Sequence, residues 1–226
     1  MKVELLAPAG NRAKLNTALY FGADAAYVGG KAFSLRSFAD NFDGEQLKAA
    51  ISYAHCLGKK IYVTVNIFAK NGDMAALEEY FAFLQSAGAD AAIISDPGLF
   101  YACRKAAPNL CVHISTQANV TNKYALRFWK EQGAGRVILA RELSIAEIKE
   151  IHDFVPDIEL EAFVHGAMCI SYSGRCLLSN YLAGRESNRG ECVQACRWNW
   201  QVRKNESGED SGWMSVEEDE RGTYIF

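Results

Sequence analysis

The sequence has no long apolar run: none of its 226 residues belongs to a stretch of about eighteen or more hydrophobic residues, so no membrane-spanning helix is expected. The amino-terminal stretch MKVELLAPAG becomes polar too early for a secretory signal peptide, and a cytoplasmic location is expected. The formal net charge is only −3, which argues against a general polyanion-binding protein.

Several catalytic motifs are also missing. There is no H-E-x-x-H, which would indicate a metalloprotease, and no G-x-S-x-G nucleophile elbow of a serine hydrolase. The C-x-x-C motif of thioredoxin-like proteins is absent as well. The first apolar segment ends in LAPAG and not in G-x-G-x-x-G, which argues against a dinucleotide-binding doubly wound sheet.

What the chain does contain is a repeated alternation of short apolar strands and amphipathic helices. The segments FGADAAYVGG, AGADAAIISD and QGAGRVILAR each place a Gly at the end of a helical pattern and then enter a strand. Ser144, with Glu147 three residues later, forms a capping box that predicts the start of a helix. This alternation predicts parallel βα units.

Seven strands can be counted, and the pattern fits an α/β fold of the TIM-type (β/α)8 barrel class with its last strand missing. In IYVTVN, the apolar Ile61, Val63 and Val65 share the face that would pack on outer helices. The predicted strands are Val3–Ala7, Ala25–Val28, Ile61–Asn66, Ala91–Asp96, Val112–Gln117, Arg136–Arg141 and Glu159–His165.

Three regions are predicted: barrel units over 1–166, an irregular Cys/Arg-rich insertion over 167–200, and an acidic loop or hairpin over 201–226 that starts a truncated carboxyl-terminal part. The chain ends at ERGTYIF without an eighth apolar strand. We therefore expect a fragment of a longer protein, with exposed edges on the first and seventh strands. Alone it should be aggregation-prone or only partly stable.

The carboxyl ends of barrel strands are where the active sites of this fold lie. Glu161 is expected to point into the barrel one layer of side chains below these strand ends. The polar residues predicted at that rim are Asn66, Asp96, Gln117, Arg141 and His165.

Four of the seven cysteines follow the seventh strand with the spacing C-x6-C-x15-C-x3-C. In a reducing compartment, clustered cysteines are more often ligands or catalysts than disulfides. The spacing leaves an iron–sulfur cluster, zinc, and redox or unliganded thiols open, and its single tight pair mildly favours a cluster over zinc. The candidate ligands are Cys169, Cys176, Cys192 and Cys196. The remaining Cys56, Cys103 and Cys111 are expected to be small buried hydrophobic residues.

The cysteine-bearing stretch is also basic and rich in aromatic residues. Residues 165–204 contain six Lys and Arg against two Glu. Such groups can hold phosphates, and the rings of Tyr172, Tyr181, Trp198 and Trp200 can stack on single-stranded bases. An ordinary charged loop is the alternative. The candidate RNA-binding residues are Arg185, Arg189, Arg197 and Arg203.

The stretch ELEAFVHGAMCISYSGRCLLSNYLAGRESNRGECVQACRW resembles the signature of the collagenase-like peptidases of unassigned catalytic type, peptidase family U32. LLAPAG, DAAYVGG, STQANVTN and ILARELS extend the resemblance over nearly the whole chain. Within that family, the chain is most similar to the prephenate-dependent tRNA uridine 5-hydroxylases, which make wobble 5-hydroxyuridine. The resemblance implies a TIM barrel with a [4Fe–4S] cluster on the four cysteines.

The resemblance further implies tRNA as partner and prephenate as co-substrate and hydroxyl donor. Because prephenate carries two carboxylates, we expect Arg141 to bind them, with Arg175 as second candidate. Glu161 and His165 are the predicted acid–base residues. The remaining predicted substrate-binding residues are Asn66, Asp96 and Gln117. The target uracil would have to leave its stack to enter the barrel mouth.

Two alternatives stay open. One is collagenase-like proteolysis, for which Ser173, Ser179 or a thiol activated by His165 would be the nucleophile. Serines in loops are more often turn residues, and four grouped cysteines favour ligation. The other is a non-catalytic iron–sulfur subunit of a hydroxylase heterodimer, which would copurify with a second protein subunit.

Overall fold

The computed structural model of the chain describes residues 3–31, 33–34, 40–166, 168–202, 214–219 and 222–225. The chain divides into two compact units, Met1–Val193 and Gln194–Phe226. The boundary between them lies inside the predicted Cys/Arg-rich insertion, which we call the cysteine segment (residues 167–200).

The first unit is built on a seven-stranded parallel sheet in which each strand pairs with the next one along the chain. The sheet curls into a half-barrel of the TIM type, with helices between the strands, as predicted. β1 and β7 are its two edges in the described part of the chain. The strands are β1 (Leu6–Pro8), β2 (Ala25–Gly29), β3 (Lys60–Val65), β4 (Ala91–Ile94), β5 (Val112–Ile114), β6 (Arg136–Ile138) and β7 (Glu159–Glu161).

Side-chain caps and glycines set the ends of the helices. The predicted capping box is confirmed: Ser144 Oγ accepts from Glu147 N at 3.3 Å, and the Glu147 carboxylate accepts from Ser144 N at 2.8 Å. Gly22, Gly58 and Gly133 take positive φ angles after their helices. The helices are α1 (Arg12–Tyr20), α2 (Gly44–Cys56), α3 (Met74–Ser86), α4 (Pro97–Ala106), α5 (Lys123–Glu131), α6 (Ile145–Phe154) and α7 (Leu178–Ala183).

The two faces of the strands bury different side chains, as the alternation in IYVTVN predicts. Ile61, Val63 and Val65 are fully buried in the larger core, which the sheet shares with the helices. Tyr62 lies on the opposite face, in a smaller core inside the barrel. Burial of an aliphatic side chain of this size stabilises the fold by about 1.5–3 kcal/mol. The larger core therefore fixes which side chains point into the barrel.

β3 to β7 end earlier than predicted, whereas β1 and β2 each end one residue later. β7 was predicted to reach His165 but ends at Glu161, and Val164, which lies beyond it, is 91% exposed. The register explains the difference: Glu161 pairs with Ile138, the last residue of β6, so the ladder has no partner beyond that point. β5 likewise ends at Ile114 and gives way to a 3-10 turn, Thr116–Ala118.

The three cysteines outside the cysteine segment differ in burial. Cys103 is buried in the larger core, as expected. The expectation is wrong for Cys56 and Cys111, which are exposed. Cys56 is the last residue of α2 and lies off the stripe, Leu47 to Ala54, that the helix buries. None of the helices in the described ranges is long and apolar enough to cross a membrane.

The second unit contains a small antiparallel sheet in the order β10-β9-β8. Its strands are β8 (Gln201–Val202), β9 (Met214–Asp219) and β10 (Gly222–Ile225). β9 and β10 form a hairpin in which Gly222 pairs with Asp219. The rings of Trp198 and Trp200 stack with centroids 5.8 Å apart. Arg203, a predicted RNA-binding residue, lies outside the described residues.

Candidate functional site at the carboxyl end of the barrel

Two of the predicted rim residues make local structural contacts. Asp96 follows β4 and caps α4, where its carboxylate accepts a hydrogen bond from Leu99 N at 3.0 Å. Asn66 follows β3, and its carbonyl oxygen accepts from Ser95 Oγ at 3.4 Å. The first contact therefore fixes the start of α4, and the second joins the ends of β3 and β4.

Gln117 lies just after β5, in the 3-10 turn, and is a rim residue with an unsatisfied side-chain oxygen. Its Oε1 is buried and has no hydrogen-bond partner among the described residues. Gly174 of the cysteine segment packs directly on it: a Cβ at this glycine would lie 3.3 Å from Gln117 Cδ. A buried amide oxygen without a partner is a candidate acceptor for a ligand group.

The two candidate carboxylate-binding arginines both lie against phenylalanine rings. Arg141, which follows β6, has its guanidinium carbon 4.4 Å from the ring centroid of Phe163, just beyond β7. Arg175 is exposed and lies 5.5 Å from the ring of Phe68, in the loop that follows β3. A phenylalanine ring in contact with a guanidinium restricts the orientation of the guanidinium plane.

The two predicted acid–base residues lie in different environments. Glu161 is largely buried, and its carboxylate lies 3.4 Å from Arg136 Nη1, so it faces the interior of the barrel. Burial raises the pKa of Glu161, although Arg136 opposes the shift. His165 lies beyond the end of β7 and is exposed. Burial therefore favours the neutral form of Glu161 more than it would for an exposed carboxylate.

The sulfur atoms of Cys176 and Cys192 both lie near the first turn of α7. Leu178 N donates to Cys176 Sγ at 3.3 Å, and Ser179 Oγ donates to Cys192 Sγ at 3.9 Å. Ser179, an alternative nucleophile by sequence, is buried and also accepts from Val193 N at 3.2 Å, so it serves as a structural link. Hydrogen bonds of this kind stabilise thiolates that bind metal.

The chemistry of this donor set fits a soft metal centre, because thiolates are soft ligands and the sulfurs of Cys176 and Cys192 accept hydrogen bonds. Within the described ranges, however, no group of three or more His, Cys, Asp or Glu side chains is close enough together to hold a metal ion. Cys196 is partly buried and belongs to the second unit.

The predicted RNA-binding arginines in the described part of the chain differ in their exposure to solvent. Arg185 and Arg197 are exposed. Arg189 is partly buried and already binds Asp73, with Nη1–Oδ2 at 2.8 Å and Nη2–Oδ1 at 3.2 Å. Arg189 therefore holds its part of the cysteine segment against Asp73 in this structure.

At the opposite, amino-terminal end of the barrel lies a charged network that the sequence reasoning missed. Arg136 is 8% exposed and contacts Glu4 at 2.7 Å and Glu159 at 2.6 Å, while Tyr62 donates to Glu4 at 2.9 Å. His113 lies against the ring of Tyr62 and lines a cavity of about 380 Å³ beside Arg136. The sequence feature that could have indicated this network is Arg136, a charged residue at an inward position of an otherwise apolar strand.

The sequence model described as Peptidase family U32 matches residues 10–226. The chain is 52% identical over 201 residues to a protein of Bacillus subtilis (strain 168) named tRNA hydroxylation protein P1, covering 89% of this chain and 47% of that protein. It is 46% identical over 203 residues to tRNA hydroxylation protein P of Escherichia coli (strain K12), covering 90% of this chain and 45% of the relative. The chain thus spans about half the length of these relatives.

The fold also matches a solved structure described as a U32 peptidase. The TM-score is 0.60 at 16% sequence identity, over 71% of this chain and 68% of the other. At this identity the match shows a shared architecture and leaves the chemistry to the residues at the strand ends.

Proposed function

We propose that this chain, which belongs to peptidase family U32, forms the barrel of an RNA-modifying enzyme that hydroxylates tRNA. The observation that carries the proposal is the cysteine segment, whose Gly174 packs on the unsatisfied Gln117 and whose Arg175 lies on Phe68, both at the carboxyl ends of strands. In this fold, that end is where chemistry takes place. The names of the relatives from Bacillus subtilis and Escherichia coli give further support.

We further propose that the modified base is a wobble uridine and that prephenate supplies the hydroxyl group. In this proposal Arg141 and Arg175 bind the carboxylates of prephenate, since each guanidinium is oriented by a ring. Gln117 Oε1 accepts a hydrogen bond from the uracil or from prephenate. Glu161, whose pKa is raised by burial, is the proposed acid–base residue inside the barrel. The exposed Arg185 contacts the RNA backbone.

The proposed cofactor is a [4Fe–4S] cluster held by Cys169, Cys176, Cys192 and Cys196. Once bound, such a cluster supplies a redox-active metal centre at the barrel mouth. The chain itself contributes the donors to sulfur, Leu178 N and Ser179 Oγ.

The proposed function is tested by expressing the full protein that contains this chain in a bacterial strain whose tRNA lacks 5-hydroxyuridine. We expect mass spectrometry of digested tRNA to show 5-hydroxyuridine or its derivatives with the wild-type protein and a loss of at least about a hundredfold with Arg141→Ala, as for other positioning groups. Arg127→Ala is the matched control, because Arg127 also lies on a phenylalanine ring, at 4.0 Å from Phe154, but on outer helices. Absence of the modification with wild-type protein would refute the proposal.

Proteolysis is the second candidate function, favoured by the family description and by the solved U32 peptidase with the same fold. It predicts that metal-free protein cleaves peptides and that cleavage depends on Ser173, Ser179 or a thiol near His165. The buried position and hydrogen bonds of Ser179 argue against it as a nucleophile. Peptide cleavage that persists after chelation, without tRNA hydroxylation, would favour proteolysis. Copurification of a second protein subunit would favour the third possibility, that the chain is a non-catalytic iron–sulfur subunit of a hydroxylase heterodimer.

A further inference from the structure

Phe68 lies in the loop between β3 and α3 (residues 66–73). It is contacted by Arg175, which precedes α7, and by Asn188 and Arg189, which follow it. Its backbone N–H donates to Asn188 O at 3.0 Å, and its carbonyl oxygen accepts from Arg189 Nη1 at 2.6 Å. Its ring lies 5.5 Å from the guanidinium of Arg175. Residues on both sides of α7 therefore converge on one residue of this loop.

The strongest contact in this region is between Asp73 and Arg189. The pair is bidentate, and the two side chains are only 21% and 24% exposed. Asp73 Oδ2 also accepts from Lys70 N at 2.7 Å, so the carboxylate is fixed in place by its own loop. Partly buried, bidentate Arg–carboxylate pairs have a defined geometry that single exposed ion pairs lack. The bond from Arg189 holds the pKa of Asp73 below its ordinary value, which keeps the carboxylate charged.

The contacts continue from Arg189 toward two of the candidate ligands. Glu186 binds Lys70 at 2.7 Å and lies 3.5 Å from Arg189 Nε. Ser187 Oγ donates to the carbonyl oxygen of Cys176 at 2.7 Å. Arg189 itself precedes Cys192 by three residues. The stretch 186–189 thus joins the loop after β3 to both Cys176 and Cys192.

We propose that Asp73 is a positioning residue that, through Arg189, holds the stretch between Cys176 and Cys192 against the loop after β3. The purpose of this contact rests on the proposed function, because the position of these thiols matters only if they serve a reaction at the barrel mouth. Asp73 itself contacts neither substrate nor cofactor in this proposal. The contact between the loop and the segment is a separate claim that can be measured without any reaction.

The test is hydrogen–deuterium exchange of the anaerobically purified full protein, read at backbone amides 186–192. Asp73→Arg and Arg189→Asp should each speed exchange there by about tenfold or more, because like charges replace a bidentate pair. The double charge reversal should restore exchange to within about threefold of wild type, since the pair is re-formed with opposite polarity. Asp73→Asn, a milder change that keeps one acceptor, should speed exchange by about threefold. Glu150→Arg, which breaks the 2.7 Å pair between α5 and α6, is the control and should leave these amides unchanged.

Unchanged exchange in both single variants, or a double variant no better than the worse single one, would overturn the proposal. So would wild-type levels of 5-hydroxyuridine in Asp73→Arg despite faster exchange. Recovery of the nucleoside in the double variant, together with slow exchange, would support it. If wild-type protein makes no hydroxylated nucleoside, the proposed function fails, and the exchange result still decides whether Asp73 holds the segment.

Discussion

At the scale of single residues, the most unusual feature is the buried charge of Arg136 inside the barrel. Three carboxylates surround it: Glu4 at 2.7 Å, Glu159 at 2.6 Å and Glu161 at 3.4 Å. Burying a guanidinium costs several kcal/mol unless such partners are present. The sequence places Arg136 at the start of a predicted strand but gives no sign of Glu4, which is 132 residues away. Contacts this distant in the chain follow from barrel geometry and cannot be inferred from local patterns.

His113, beside Arg136, gives a prediction about pH. Burial and the nearby Arg136 lower its pKa to about 3, from an ordinary value of 6.5. The folded protein therefore keeps His113 neutral while the unfolded chain takes up a proton below pH 6.5. Its contribution to stability is complete above pH 6.5 and is lost as the pH falls toward 3, by up to about 1.4 kcal/mol per pH unit.

Urea unfolding of the wild type and of His113→Phe between pH 7 and pH 4 measures this effect. As the pH is lowered, we expect the free energy of unfolding to fall more steeply for the wild type than for the variant, by up to about 1.4 kcal/mol per pH unit. The reason is that the variant has no imidazole at this position to protonate. His152→Phe is the control, since this histidine is exposed on α6. Equal slopes for wild type and His113→Phe would show that His113 is not kept neutral by the fold.

At the scale of elements, local patterns predicted most of the first unit. The capping box at Ser144, the left-handed glycines and the faces of β3 all follow from residue types at short range. The ends of the strands did not follow, because β7 ends where its neighbour β6 ends and not where its own apolar pattern ends. Pairing partners limit a strand more than its composition does.

Substitution of Gly174 tests how the cysteine segment packs on the strand ends. Its φ of +77° and the 3.3 Å approach to Gln117 both oppose a side chain. Gly184 offers a matched control, with φ of +64° and nothing within 4 Å of an added Cβ. We expect Gly184→Ala to cost about 1 kcal/mol of unfolding free energy from backbone strain alone, and Gly174→Ala to cost about 1–3 kcal/mol more.

The excess cost of Gly174→Ala should shrink when Gln117 is also changed to Ala, because the crowding Cδ and Cγ atoms are then removed. Denaturant unfolding of the four proteins forms a double-mutant cycle that measures this coupling. Equal destabilisation by the two glycine substitutions, or additive effects in the cycle, would mean that the segment does not rest on Gln117 in solution.

At the scale of the whole molecule, the family and the four clustered cysteines could be read from the sequence, whereas the way the segment is held could not. Nothing in the spacing of Phe68, Asp73 and Arg189 links them, since Asp73 and Arg189 are 116 residues apart. The exposed arginines and aromatics were predicted as an RNA surface, and Arg189 is instead engaged with Asp73 in this structure. Sequence patterns thus identified the chemical groups, and the fold determines which of them remain available.

We propose that the cysteine segment carries an iron–sulfur cluster. The ultraviolet–visible spectrum of the protein, purified without oxygen, tests this proposal. We predict a brown protein with broad visible absorption and about four iron atoms per chain, lost in Cys192→Ala and retained in Cys56→Ala, whose exposed thiol lies on α2. A colourless protein holding stoichiometric zinc, or an unchanged spectrum in Cys192→Ala, would contradict the claim.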